Sequence, residues 1–170
     1  MRDERPFKPS VLDKLIAHLG RVKGDGSRDT APCYIAPVEQ FGERELRQVV
    51  IRDVAWVIND INFAAAVPID DYPEIATSVL NQGVPDLTAL QVVHASLQRR
   101  SDDLTAALHA FEPRLVPSTV QVISDTSDVQ NENKVRFTIR GELRGAIDER
   151  HIELKTAVAL DSGEVEVTST

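Results

Sequence analysis

At 170 residues, 42% of them hydrophobic, the chain is long enough to bury one core and fits a single domain with an appended arm. Its net charge of -8 argues against binding nucleic-acid phosphate, which calls for a basic stripe that this sequence lacks. The single cysteine, Cys33, excludes an internal disulfide and any zinc site built on paired thiolates.

Met1 to Ser10 is charged and carries two prolines, so it does not read as a signal peptide. The segment Ser10 to Gly20 follows Pro9 with a Ser N-cap, an acid at the third helical position and a glycine stop. It predicts a short amphipathic helix with Val11, Leu12, Leu15, Ile16 and Leu19 on one stripe. From Gly20 to Pro37 the chain is rich in Gly, Pro, Ser, Asp and Arg and reads as a linker. Residues 1–42 are therefore expected to form a helical arm and flexible linker, and 43–170 the main domain.

Glu43 to Ile61 has helical periodicity, with Leu46, Val50, Val54, Val57, Ile58 and Ile61 on one wide face. Val49 and Trp56 fall on the charged side among Arg52, Asp53 and Asp60, as a second buried contact or as a partner surface. Phe63 to Val67, an apolar run that no other in the sequence exceeds, is far shorter than the roughly 20 residues of a bilayer span. Asp70-Asp71-Tyr72-Pro73 marks a boundary, and in Asn81-Gln82-Gly83-Val84-Pro85-Asp86 a positive φ suits Gly83. Helical pattern resumes from about Thr88 to Ala110, with an interruption expected at Ser101-Asp102-Asp103, whose acids suit a helix N-terminus.

Phe111-Glu112-Pro113-Arg114-Leu115 ends that helix, because proline disfavours the helical region for Glu112. Once extended, Glu112 and Arg114 project to the same side. The corner is a stiff acid and base pair, suited to docking a partner or to forming an internal ion pair. Beyond it the period is two. Val135, Phe137, Ile139, Gly141 and Leu143 alternate with charged residues, and Val120 to Val122, Ile152 to Leu154 and Val165 to Val167 repeat the pattern. Short connections predict an antiparallel meander of about four strands with helices on one face, an α+β domain whose last strand is an edge.

No catalytic, cofactor or metal site emerges. His18, His94, His109 and His151 lack metal-ligand spacing. Gly20, Gly24 and Gly26 follow a helix and lack the ending of a phosphate loop, and Cys33 has no nearby histidine. Glu112 is a weak candidate for a glycosidase acid, since a neighbouring cation favours the ionised carboxylate.

Four stretches in order, Pro9 to Leu15, Val50 to Asn59, Ser78 to Leu87 and Phe111 to Leu115, resemble the TssE family. These are type VI secretion baseplate subunits related to the wedge protein of contractile phage tails and often mislabelled as lysozymes. Gln82 departs from the aromatic residue expected in relatives. The resemblance implies a structural subunit in the cytoplasm, recruited to a membrane-anchored complex. Its implied partners are TssF, TssG and TssK and the sheath proteins TssB and TssC, with Glu112, Pro113 and Arg114 as the interaction signature. The expected contacts are completed by Trp56, Val49, Leu12, Leu15, Ile16, Val165 and Val167, and charge reversal at Arg114 is expected to leave the fold intact. Two other readings stand beside this one, a regulatory binder resembling anti-adaptor proteins and a peptidoglycan hydrolase acting through Glu112.

Overall fold

A computed structural model describes residues 9–15, 41–87, 93–125, 133–148 and 150–169. Residues 11–15 are helical (α1) and capped reciprocally, the Ser10 N–H donating to Asp13 Oδ2 at 2.8 Å and the Asp13 N–H to Ser10 Oγ at 3.1 Å. Ile16, Cys33 and the 20–37 linker lie outside the described residues.

Helix α2 runs Glu43–Asn59 and helix α3 His94–Phe111. Four strands follow, β1 Gln121–Asp125, β2 Lys134–Glu142, β3 His151–Ala159 and β4 Val165–Ser169, all antiparallel in the order β1-β2-β3-β4. This is the α+β meander that the alternation predicts. The apolar face carries Val135, Phe137, Ile139, Ile152, Leu154 and Val158, all buried. Both helices pack on it, α2 near β4 and α3 near β1. The opposite face holds exposed or half-exposed charges, among them the Arg140–Glu153 pair at 2.7 Å.

Polar side chains tie α2 to the sheet at both ends. In its first turn Glu43 accepts the Ile147 and Asp148 N–H groups at 2.8 and 3.1 Å, and Arg47 donates to the His151 carbonyl at 2.8 Å. At its last residue, Asn59 Oδ1 accepts the Val165 N–H and Asn59 Nδ2 donates to the Val165 carbonyl, both at 3.0 Å.

One expectation needs correction. Helix α3 runs without a break through Ser101-Asp102-Asp103. The acids that favour a new start are held along the helix surface instead, Asp102 by Gln98 at 3.0 Å and Asp103 by Arg100 at 3.1 Å. Of the two readings left open for Val49, the structure shows the buried contact, within the hydrophobic core. At 100° per residue it lies between Arg52 and Asp53 around the helix, the two residues that reach to α1 and to the corner after α3.

Candidate functional site

The corner forms as proline chemistry requires. Helix α3 stops at Phe111, the Glu112 N–H closes on the Leu108 carbonyl at 3.0 Å, and Glu112 turns extended at φ -121° and ψ 78°. The next residues run beside the end of β2. Arg144 N–H donates to the Arg114 carbonyl at 2.7 Å and Val116 N–H to the Glu142 carbonyl at 2.9 Å, with Leu115 bridging Leu143. The corner backbone is thereby fixed from both sides.

On this frame Glu112 and Arg114 meet. Glu112 is buried, 2% exposed. Its Oε1 accepts from the Arg114 N–H at 3.0 Å and Arg114 Nε at 2.7 Å, and its Oε2 from Arg114 Nη2. Arg114 Nη2 also donates to Asp53 Oδ2 at 2.5 Å. Asp53 Oδ1 accepts from Arg52 Nε at 2.6 Å, and Arg52 Nη2 donates to Asp13 Oδ1 at 2.8 Å. Five residues thus alternate in sign, Asp13, Arg52, Asp53, Arg114 and Glu112, joining α1, α2 and the corner in one line. Each guanidinium sits between two carboxylates, so neither cation is buried without compensation.

The titration of the chain's members follows from these contacts. Burial pushes the Asp13 carboxyl up, but hydrogen bonds from Ser10 and Arg52 outweigh it and hold Asp13 below the usual carboxylate range. Burial pulls the Arg114 guanidinium down, while Glu112 and Asp53 more than restore it, leaving it above its ordinary value. Arg52 is raised for the same reason, burial opposing and Asp53 and Asp13 prevailing. One atom is left out: Arg52 Nη1 is buried without a hydrogen-bond partner. The guanidinium carbon lies 4.8 Å from the centroid of the Trp56 ring, a cation–π contact that offsets part of that cost.

The ten candidate contact residues divide by exposure. Leu12, Leu15, Trp56 and Pro113 are exposed, and Arg114 and Val167 half-exposed. Val49, Glu112 and Val165 are buried, and Ile16 lies outside the described residues. Asp13, Arg52 and Asp53 were not singled out by the sequence as members of a site. Their only local signals were a helix cap and a charged helix face, and the Asp13–Arg52 pair closes across 39 positions.

Strand β4 is an edge of the sheet. The Ala159 N–H donates to the Glu164 carbonyl at 3.0 Å, so by antiparallel alternation Val165 and Val167 turn their backbone groups away from β3. At Val165 those groups are taken by Asn59. At Val167, among the described residues, they meet no partner.

Every oxygen of Glu112 is engaged by Arg114, and no group of three or more His, Cys, Asp or Glu among the described residues is placed to hold a metal ion. No helix among the described residues is long and apolar enough to cross a membrane.

The chain belongs to the family of the baseplate wedge protein gp25, whose model matches residues 44–146, from the first turn of α2 past the end of β2. TssE is of this family, and its members are structural subunits of phage and type VI secretion baseplates, which interact with other baseplate components. Comparison with curated proteins and with solved structures found no match.

Proposed function

We propose that this chain is the wedge subunit of a type VI secretion baseplate, docking beside TssF, TssG and TssK and offering a starting edge for the TssB/TssC sheath. The open outer edge of β4 carries the reading. An extended arm laid along β4 finds the Val167 N–H and C=O without a partner among the described residues, and main-chain bonds of this kind recruit strands without a dedicated pocket. Asn59 already fills the Val165 position, which sets where an incoming strand begins.

The baseplate side of the contact is assigned to the surface around the ionic line. Leu12 and Leu15 on α1, Trp56 beside Arg52, and Pro113 with the solvent-facing part of Arg114 are exposed there. Residues 1–42 act in this scheme as an arm whose start is pinned by Asp13, and 43–170 as the wedge body, held in the cytoplasm and recruited to a membrane-anchored machine.

Val167→Pro tests the sheath edge directly. Proline is tolerated on an edge strand when its nitrogen faces outward, so it removes the outward donor without removing a β3–β4 bond. The expected result is loss of fluorescently tagged TssB sheaths in cells, with the circular dichroism of the purified protein retained. Normal sheath formation by this variant would defeat the reading of β4 as the nucleating edge.

A further inference from the structure

Between α2 and α3 the chain forms a loop with an inverted distribution of side chains. Its base is closed by backbone bonds, Asn62 N–H to the Val84 carbonyl at 3.0 Å and Val84 N–H to the Asp60 carbonyl at 2.9 Å. Gly83 makes the closure possible. At φ +119° it occupies a region that side chains avoid, and a Cβ there would lie 2.5 Å from the Asp60 carbonyl oxygen.

Inside the loop are three short 3-10 turns, Phe63–Ala65, Pro73–Thr77 and Val79–Asn81. Buried Asn81 staples them, its Oδ1 accepting the Ala64 N–H at 2.8 Å and its Nδ2 donating to the Ala76 carbonyl at 3.1 Å. A loop with a closed base and a buried polar staple has one defined shape. That shape turns apolar groups outward: Val79 is 81% exposed, Leu80 71% and Tyr72 61%, with Ile61, Phe63 and Val67 also exposed. Scattered exposed hydrophobes are ordinary, but six large ones on one stapled loop are a contact surface.

Its charge is one-sided. From Asp53 to Val93 the sequence has no Lys, Arg or His, while Asp60, Asp70, Asp71 and Glu74 are exposed on the loop. A second copy of the same surface would set acid against acid, so like-charge repulsion disfavours self-pairing.

We propose that the outward face of the Asp60–Val84 loop docks a partner protein through a segment of apolar residues flanked by Lys or Arg. Tyr72, Val79 and Leu80 supply the apolar contact, and Asp70, Asp71 and Glu74 supply the acidic rim that orients it. The proposal rests on the baseplate reading, which makes the partner another baseplate protein, and adds the surface and the chemistry it selects. Its residues belong neither to β4 nor to the ionic line.

The test is capture of purified TssF–TssG by the full chain over a salt series. Wild type is compared with Val79→Asp/Leu80→Asp and with Asp70→Lys/Asp71→Lys/Glu74→Lys. Sedimentation and the thermal midpoint are recorded for each. The apolar variant is expected to bind about tenfold more weakly. The charge variant is expected to weaken binding and flatten its salt dependence, with thermal midpoints unchanged in both. Equal capture by all three proteins overturns this surface and leaves the baseplate reading standing, whereas a wild type that captures nothing overturns both. Variants that lose self-association, or that melt earlier, also overturn it, by assigning the face to a second copy or to the chain's own residues.

Discussion

Two regions of this molecule invert the usual placement of side chains, in opposite senses. Around the corner after α3, five charged residues line up, and three of them, Asp13, Arg52 and Glu112, are buried. In the Asp60–Val84 loop, large apolar side chains face solvent while the one buried polar residue, Asn81, holds the turns together. The difference teaches that polarity alone does not mark the contact surface of a scaffold subunit. Charges that satisfy one another are joinery, because most of their donors and acceptors are already used, Arg52 Nη1 being the exception. Apolar groups held outward by a rigid staple are unsatisfied, and it is these that a partner can improve.

The sharpest way to break this comparison is at Arg114. Arg114→Ala leaves buried Glu112 facing Asp53 with no cation between them, and a buried charge stripped of its partner costs about 3 kcal/mol or more. Urea denaturation is expected to show that loss, while Glu112→Gln, which leaves Arg114 paired with Asp53, costs about 1 kcal/mol. By the same argument, charge reversal at Arg114 is expected to lower the stability of the fold. If both variants unfold like the wild type, the corner is an exterior feature and its resemblance to the loop returns.

Next in size is Gly83→Ala, which sharpens the loop side. The added methyl meets the Asp60 carbonyl in a backbone region that alanine avoids, with an expected cost of about 2 kcal/mol in the same assay. Asn81→Ala follows, at about 1–2 kcal/mol for the unpaired Ala64 N–H and Ala76 carbonyl it leaves behind. Its signature is local: hydrogen exchange should quicken at Ala64 while Val54 and Leu108 in the helices stay protected.

What the sequence made legible was local. A proline after Glu112 dictates a stop, alternation at Val135 to Leu143 dictates a half-buried strand, and a glycine between Asn81 and Pro85 announces a special φ. What it hid was long-range or counter to average behaviour. Asp13 carries every sign of a helix cap and serves as one, yet its second oxygen reaches Arg52, a contact no local pattern encodes. Ser101-Asp102-Asp103 has the composition of a helix start, but side-chain pairs one turn away keep α3 continuous. Val49 falls among charged residues on a helical wheel, yet it belongs to the buried core. Ile61, Tyr72, Val79 and Leu80 invite the opposite error, since apolar residues suggest burial and these are exposed.

The smallest effect separates the two ends of the ionic line by acidity. The folded Asp13 carboxyl is held below its ordinary value by Ser10 and Arg52, and an unfolded aspartate titrates near 3.9. Because the folded value is the lower of the two, the stabilisation from Asp13 is complete above about pH 4 and fades as pH falls through the folded value. Protonation removes the charge from Arg52's only contact with α1 in the line and loosens the pinning of residues 9–15, while the Glu112–Arg114–Asp53 end keeps its backbone ties to Leu108, Glu142 and Arg144. Hydrogen exchange below pH 4 should therefore quicken first at Lys14, whose N–H bonds the Ser10 carbonyl, and later at Glu112. Asp13→Asn should show that difference already at neutral pH. If both amides loosen together, the five charges act as one cooperative unit and α1 is no more detachable than the corner itself.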